Sequence, residues 1–162
     1  MPKLIRYLIT LSCLLYAGSG ASAANGLEAQ PNFDSFRVAE RSFSGKIAQP
    51  RLVTRQDREF RTALEDAAKH RPNFAGHFIL TNIGCSASCV TTAVLDAKTG
   101  KVAWLPFTLC CWEDAVKEPV EFRIDSDLIV LQGRKDEGEA GTWRLRFIDG
   151  RFVAARAPQE SH

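Results

Sequence analysis

"CVTTAVLDAKTGKVAW", residues 89–104, decides the fold. Two apolar, β-branched runs, 90–95 and 102–104, flank the polar turn cluster Asp96-Ala97-Lys98-Thr99-Gly100. Such runs favour extended backbone and such a cluster reverses it, so the stretch reads as a β-hairpin. If Leu95 or Asp96 pairs near Lys101, cross-strand partners sum to roughly 196 or 197. Cys89 then faces residues near 107 or 108, and Cys110 faces residues near 86 or 87. The cysteines of "GCSASC" (84–89) and "LCCW" (109–112) therefore gather at one end of the sheet, opposite the turn.

Outward from the hairpin, "GHFILTNIG", "VEFRI", "LIVLQG", "TWRLRFI" and "RFVAA" also read as strands. Turn signals at Asp125-Ser126-Asp127 and Asp149-Gly150 and the polar loop 134–141 separate them. Upstream, Phe60, Ala63, Leu64, Ala67 and Ala68 make one apolar stripe, which predicts a helix over 55–69 capped by Thr54 and stopped by Pro72. Residues 33–48 alternate loosely (Phe36, Val38, Phe43, Ile47) and predict one or two short strands. The expected class is α+β: an antiparallel β-meander of about six to eight strands with one main α-helix packed on it.

The first 23 residues read as a cleaved signal peptide. Lys3 and Arg6 precede an apolar run at 8–15, and Ala21-Ser22-Ala23 fits a signal-peptidase site. The run is well short of the ~20 residues that span a bilayer, so no membrane span is expected after cleavage. Residues 24–32 read as a leader and 33–162 as a single domain. Cleavage removes two basic groups and no acid, leaving 19 Lys and Arg against 19 Asp and Glu. A near-zero charge with no basic patch argues against nucleic acid as a partner. Periplasmic or secreted localisation is expected, with four cysteines in an oxidising compartment.

Those four sulfurs admit several readings. C-x3-C is a poor zinc chelate, and adjacent cysteines point apart on a strand. No C-x-x-C is present. Structural disulfides fit compartment, number and position together. A Cys110–Cys111 bond closes an eight-membered ring, so the preferred scheme crosses Cys85 and Cys89 to Cys110 and Cys111. Either crossing pins Ser86, Ala87 and Ser88 as a rigid small-residue tip, suited to binding because little entropy is lost on docking.

Few other residues compete. His77, in "PNFAGHF", is either a general base or metal ligand, or a histidine satisfying a backbone carbonyl at a strand entrance. Trp104 and Trp112 flank the cysteine end as packing or contact aromatics. Asp136, Glu137 and Glu139 read as a solvated acidic turn. No phosphate loop, hydrolase elbow or metalloprotease pair occurs, and neither cofactor nor metal is expected.

"RPNFAGHFILTNIGCSASC" followed by "AVLDAKTGKVAWLPF" resembles a group of small secreted bacterial proteins with an Asn-Phe-Ala-Gly-His-aromatic…Gly-Cys-x3-Cys pattern, a resemblance that implies export and supplies no reaction. "FILTNIGCSASCVTTAV" is similar in framework to the Ivy-type periplasmic inhibitors of vertebrate lysozyme, in which a short disulfide loop carrying a His enters the lysozyme cleft. Here the loop is Ser-Ala-Ser, without that His. This second resemblance implies a local Cys85–Cys89 bridge. The resulting expectation is a non-catalytic, protein-binding or inhibitor-like periplasmic module, docking a periplasmic or extracellular protein through Ser86, Ala87, Ser88, His77 and Trp112. The alternative is a periplasmic enzyme or thiol-redox protein using His77 with a cysteine.

Overall fold

In the computed structural model, residues 32–40 and 43–155 are described. The expected signal peptide, and the leader apart from Asn32, lie outside them.

Eight antiparallel strands form one sheet: β1 (Phe78–Ser86), β2 (Cys89–Asp96), β3 (Val102–Trp104), β4 (Leu109–Cys110), β5 (Val120–Phe122), β6 (Leu128–Lys135), β7 (Ala140–Ile148) and β8 (Arg151–Ala154). The main path is β1-β2-β4-β6-β7-β8, with β3 also on β2 and β5 also on β6. Among the described residues, the two-residue strand β4 is thus the only ladder joining the β1–β2–β3 half to the β5–β8 half. Elsewhere the halves part and enclose a core of Phe74, Leu80, Val94, Leu109, Ile129, Leu131 and Phe147.

Side chains alternate across a strand, so β1 and β2 present a second apolar face. Leu80 and Val94, a cross-strand pair, point into that core, while their neighbours Ile79 and Leu95 pack with Ala67 and Ala68 of the helical segment. Likewise Ile129 and Leu131 face the core, whereas Leu128 and Val130 meet Phe33. Strands covered on both faces read as unbroken apolar runs, as "TTAVL" and "LIVL" do.

The helix predicted over 55–69 is two short helices, α1 (Arg55–Glu59) and α2 (Arg61–Ala67), parted at Phe60 (φ −97°, ψ 21°). Its start is as expected. The Thr54 hydroxyl accepts the Asp57 amide at 3.0 Å and Asp57 accepts the Thr54 amide at 2.6 Å, a reciprocal capping box. The break coincides with anchorage on β3. Phe60 lies 5.3 Å from the Trp104 ring, and the Trp104 indole donates to Asp57 at 2.8 Å.

Among the described residues of 33–48, the expected strands are not formed. A 3-10 turn (Phe33–Phe36) is followed by extended chain with one isolated bridge, Arg37 to Ser126. This segment straps across turns and does not run along an edge: the Phe43, Ala48 and Arg51 amides donate to the Gly76, Ala97 and Gly100 carbonyls. Phe33 and Phe36 cover the outer face of β6.

Register around the hairpin matches the turn-based expectation and then slips. Ala93 pairs with Trp104 and Leu95 with Val102, a sum of 197. Beyond 105–108 the pairs are Val90 with Leu109 and Cys89 with Cys110, a shift of two residues. The shift creates β4, which the sequence pattern did not show. Gly133 lets β4 close on β6, since a Cβ there would stand 2.8 Å from the Cys110 carbonyl oxygen.

Candidate functional site at the tip of the first hairpin

The β1–β2 hairpin separates two clusters of polar and sulfur chemistry. His77 is at its base and the cysteines are at its tip. Eight residues of strand between His77 and Cys85 span about 26 Å, so the two cannot act on one substrate atom.

At the base, "NFAGH" is a corner in which every residue has a structural partner. The Asn73 side chain donates to the Leu80 carbonyl at 3.0 Å and accepts the Leu80 amide at 2.8 Å, extending the sheet edge with a side-chain amide. Phe74 is fully buried. Ala75 and Gly76 have φ of 42° and 80°, and a Cβ on Gly76 would lie 2.6 Å from the Glu40 carbonyl oxygen. His77 Nδ1 is 2.7 Å from Glu40 Oε2, and its Nε2 is 3.8 Å from Asp96 Oδ1. The expected backbone-carbonyl partner is therefore replaced by two carboxylates. Lys98 Nζ clamps Glu40 at 2.8 Å.

The hydrogen bond from Lys98, with smaller help from His77, holds the Glu40 carboxyl below its usual range against slight burial. Burial acts to raise Asp96, but the Thr99 hydroxyl and the Lys98 and Thr99 amides outweigh it, and Asp96 also lies low. Glu40 stands 37 residues from His77, so no local spacing signalled this pair. The arrangement is a charged clasp between the strap, β1 and the 96–100 turn.

At the tip, the expected crossing of Cys85 and Cys89 to Cys110 and Cys111 is not formed. Cys85 bonds Cys89, with Cα atoms 5.3 Å apart, while Cys110 and Cys111 are thiols. The cause is a bulge between Gly84 and Ser86 that brings the two hairpin cysteines together. Cys110 does arrive opposite Cys89, but that sulfur is already occupied. The expectation that Cys110 and Cys111 point apart also fails. Cys111 has φ 53°, which folds its side chain back, and the sulfurs are 3.0 Å apart. The neighbouring Cys110 thiol, followed by slight burial, pushes the Cys111 thiol above its ordinary value.

Ser86, Ala87 and Ser88 are exposed in the closed loop. Ser88 has φ 51°, and its carbonyl accepts the Cys111 amide at 3.0 Å. Trp112 is half-buried beside this end, whereas Trp104 belongs to the helix anchorage. Exposed Glu137 and Arg134, of opposite charge, both act on Cys111. Asp136, Glu137 and Glu139 are exposed as expected, and Asp136 also accepts from the Thr108 amide and hydroxyl at 2.8 and 3.0 Å, latching the β6–β7 turn beside β4.

Two clefts along β3 escaped the sequence reading because their walls come from separate strands. One, of about 370 Å³, is lined by Phe78, Val94, Ala103 and Phe147 together with Asp96, Lys101 and Asp149. The other, of about 380 Å³, adjoins it at Val102 and Gly150 and includes Trp104 and Phe152. Among the described residues, no three His, Cys, Asp or Glu side chains are placed to hold a metal ion.

Fold and tip together define a small α+β domain with a disulfide-closed, small-residue hairpin loop. Comparison with protein-family models, with curated proteins and with solved structures yields no match.

Proposed function

We propose that this is an exported, periplasmic or secreted, non-catalytic protein-binding module that docks a partner through the Ser86-Ala87-Ser88 loop. One observation carries the reading: the loop is closed covalently at its base by Cys85–Cys89, yet all three of its residues are exposed. A loop fixed before binding loses little conformational entropy on docking, and small side chains admit close backbone approach. A stable disulfide agrees with an oxidising compartment. The framework similarity to Ivy-type inhibitors points the same way, although the His of that family's loop is replaced by Ser-Ala-Ser. The enzymatic alternative using His77 with a cysteine is disfavoured by the length of β1 between them.

The test is affinity capture from periplasmic and extracellular fractions with wild type beside Ser86→Trp and Ala87→Arg. Ser88 is left alone because of its left-handed backbone. Wild type should recover a partner that both variants lose while keeping the wild-type melting temperature. Equal recovery by all three proteins, or none by wild type, would exclude the loop as the docking surface.

A further inference from the structure

Two thiols remain where the fold gathers its sulfur, and their geometry is specific. Adjacent strand residues ordinarily face opposite sides of a sheet. The left-handed conformation of Cys111 cancels that alternation and sets its Sγ 3.0 Å from the Sγ of Cys110, to which it donates. A disulfide needs about 2.0 Å, so closure requires an approach of about 1 Å. Cys110 is buried and Cys111 exposed, which leaves one sulfur open to solvent and the other shielded from it.

The pair is also wired to the loop. Cys89 and Cys110 are directly opposite, and the Cys111 amide donates to the Ser88 carbonyl. That bond flanks the 89/110 pair in the pattern of a non-hydrogen-bonded antiparallel pair, in which opposed side chains share a face at close range. The ring that a Cys110–Cys111 bond would close contains the peptide between them, whose nitrogen is the Cys111 amide, so closure acts on Ser88.

We infer that Cys110 and Cys111 are a redox-active dithiol, oxidised to a vicinal disulfide by a low-molecular-weight disulfide, and that this oxidation rearranges the Ser86-Ala87-Ser88 loop. The second clause rests on the loop being the docking surface only for its biological consequence; the chemistry stands apart from it. Cys111 loses its proton to solvent, and its thiolate attacks one sulfur of the external disulfide. That S–S bond breaks, one thiolate leaves, and Cys111 carries a mixed disulfide. Cys110 then loses its proton and attacks Cys111 Sγ, expelling the second thiolate. The protein gives up two electrons, and the external disulfide becomes two thiols. Because the Cys110 thiol pushes the Cys111 thiol up, thiolate is scarce at neutral pH and the first step accelerates as pH rises.

The full chain is equilibrated across a series of reduced-to-oxidised glutathione ratios, quenched with acid, alkylated, and mapped by peptide mass spectrometry. Both thiols should disappear together, leaving the peptide that contains Cys110 and Cys111 unlabelled and lighter by two hydrogens, with Cys85–Cys89 intact. Cys110→Ala should stop as a glutathione adduct on Cys111. Cys111→Ser, a change at an exposed site, should take up no glutathione. A persistent adduct on wild type, a Cys89–Cys110 bridge, or thiols that survive the oxidising end would each overturn the dithiol. On closure the Cys111 amide should exchange faster, and unchanged exchange would overturn the coupling to the loop. Ser86→Trp should close at the same ratio as wild type, which keeps this chemistry separable from loss of the docking surface.

Discussion

The two ends of the β1–β2 hairpin solve opposite problems with the same strands. At the base, Asn73 satisfies the Leu80 backbone, His77, Glu40, Asp96 and Lys98 satisfy one another, and Gly76 fits against the strap with no room for a Cβ. At the tip, the β1–β2 ladder, its pairing with β4, the Cys85–Cys89 bond and the Cys111 amide on the Ser88 carbonyl hold the chain, and the loop side chains are left facing solvent. Internally saturated polar groups hold a fold together but have little left for a partner. A tip fixed through sulfur keeps its surface free. A histidine surrounded by carboxylates thus belongs here to architecture, while the plain sequence Ser-Ala-Ser is the better place to look for recognition.

The largest expected effect breaks the base. Gly76→Ala puts a Cβ 2.6 Å from backbone at φ 80° and should cost about 2–4 kcal/mol in denaturant unfolding. Gly150 has φ 75° but open space around it, so Gly150→Ala should cost only about 1–2 kcal/mol, the left-handed backbone term alone. Equal losses at the two sites would mean that the strap does not clasp the corner.

Next comes the tip staple. Replacing Cys85 and Cys89 together by Ser opens a short loop and should cost about 2 kcal/mol in the chain-entropy model. Amide exchange should quicken at 84–90 and stay unchanged at Gly76 and Phe43. If protection at the base falls as well, the hairpin ends are not independent.

How far this contrast could be read in advance follows from the range of each interaction. The 96–100 turn fixes neighbouring pairs, so the register of β2 on β3 was legible. The slip at 105–108 was not, because it answers to β6 approaching through Gly133. A helix was legible from its stripe, but its break at Phe60 coincides with a contact to Trp104, more than forty residues away in the chain. Period-two alternation in 33–48 suggested strands, whereas those apolar residues cover faces of the sheet and helical layer from across its turns. Register gathered the cysteines correctly, yet the choice of partner hung on a one-residue bulge. The Glu40–His77 pair left no mark in any local pattern.

Acid should separate the ends further. Glu40 and Asp96 at the base have lowered pKa values, as does Asp57, where burial is outweighed by the bonds from Trp104 and Thr54. A carboxyl with a depressed folded pKa adds stability that is complete above its unfolded value and is lost as pH falls through the folded one. The melting temperature should therefore hold steady down to about pH 5 and fall progressively below about pH 4. Asp57→Asn should start lower at neutral pH and lose less on acidification. Over the same range, exchange protection should decline at Phe43 and Gly76 before it does at the disulfide-closed tip. Simultaneous loss at both ends would place the acid-sensitive groups elsewhere.

The smallest expected effect is the most diagnostic for function. Ser86 and Ala87 are exposed and make no side-chain hydrogen bond or ion pair among the described residues, so Ser86→Trp and Ala87→Arg should each change unfolding stability by no more than about 0.5 kcal/mol. Capture of a partner should nevertheless be lost, because a bulky group at a preformed loop clashes with whatever docks there. Stability and binding then respond at opposite ends of one hairpin: Gly76→Ala weakens folding, and Ser86→Trp weakens only recognition. If Ser86→Trp lowers stability by more than about 1 kcal/mol, the tip carries packing that its exposure conceals, and the division between a structural base and a recognising tip fails.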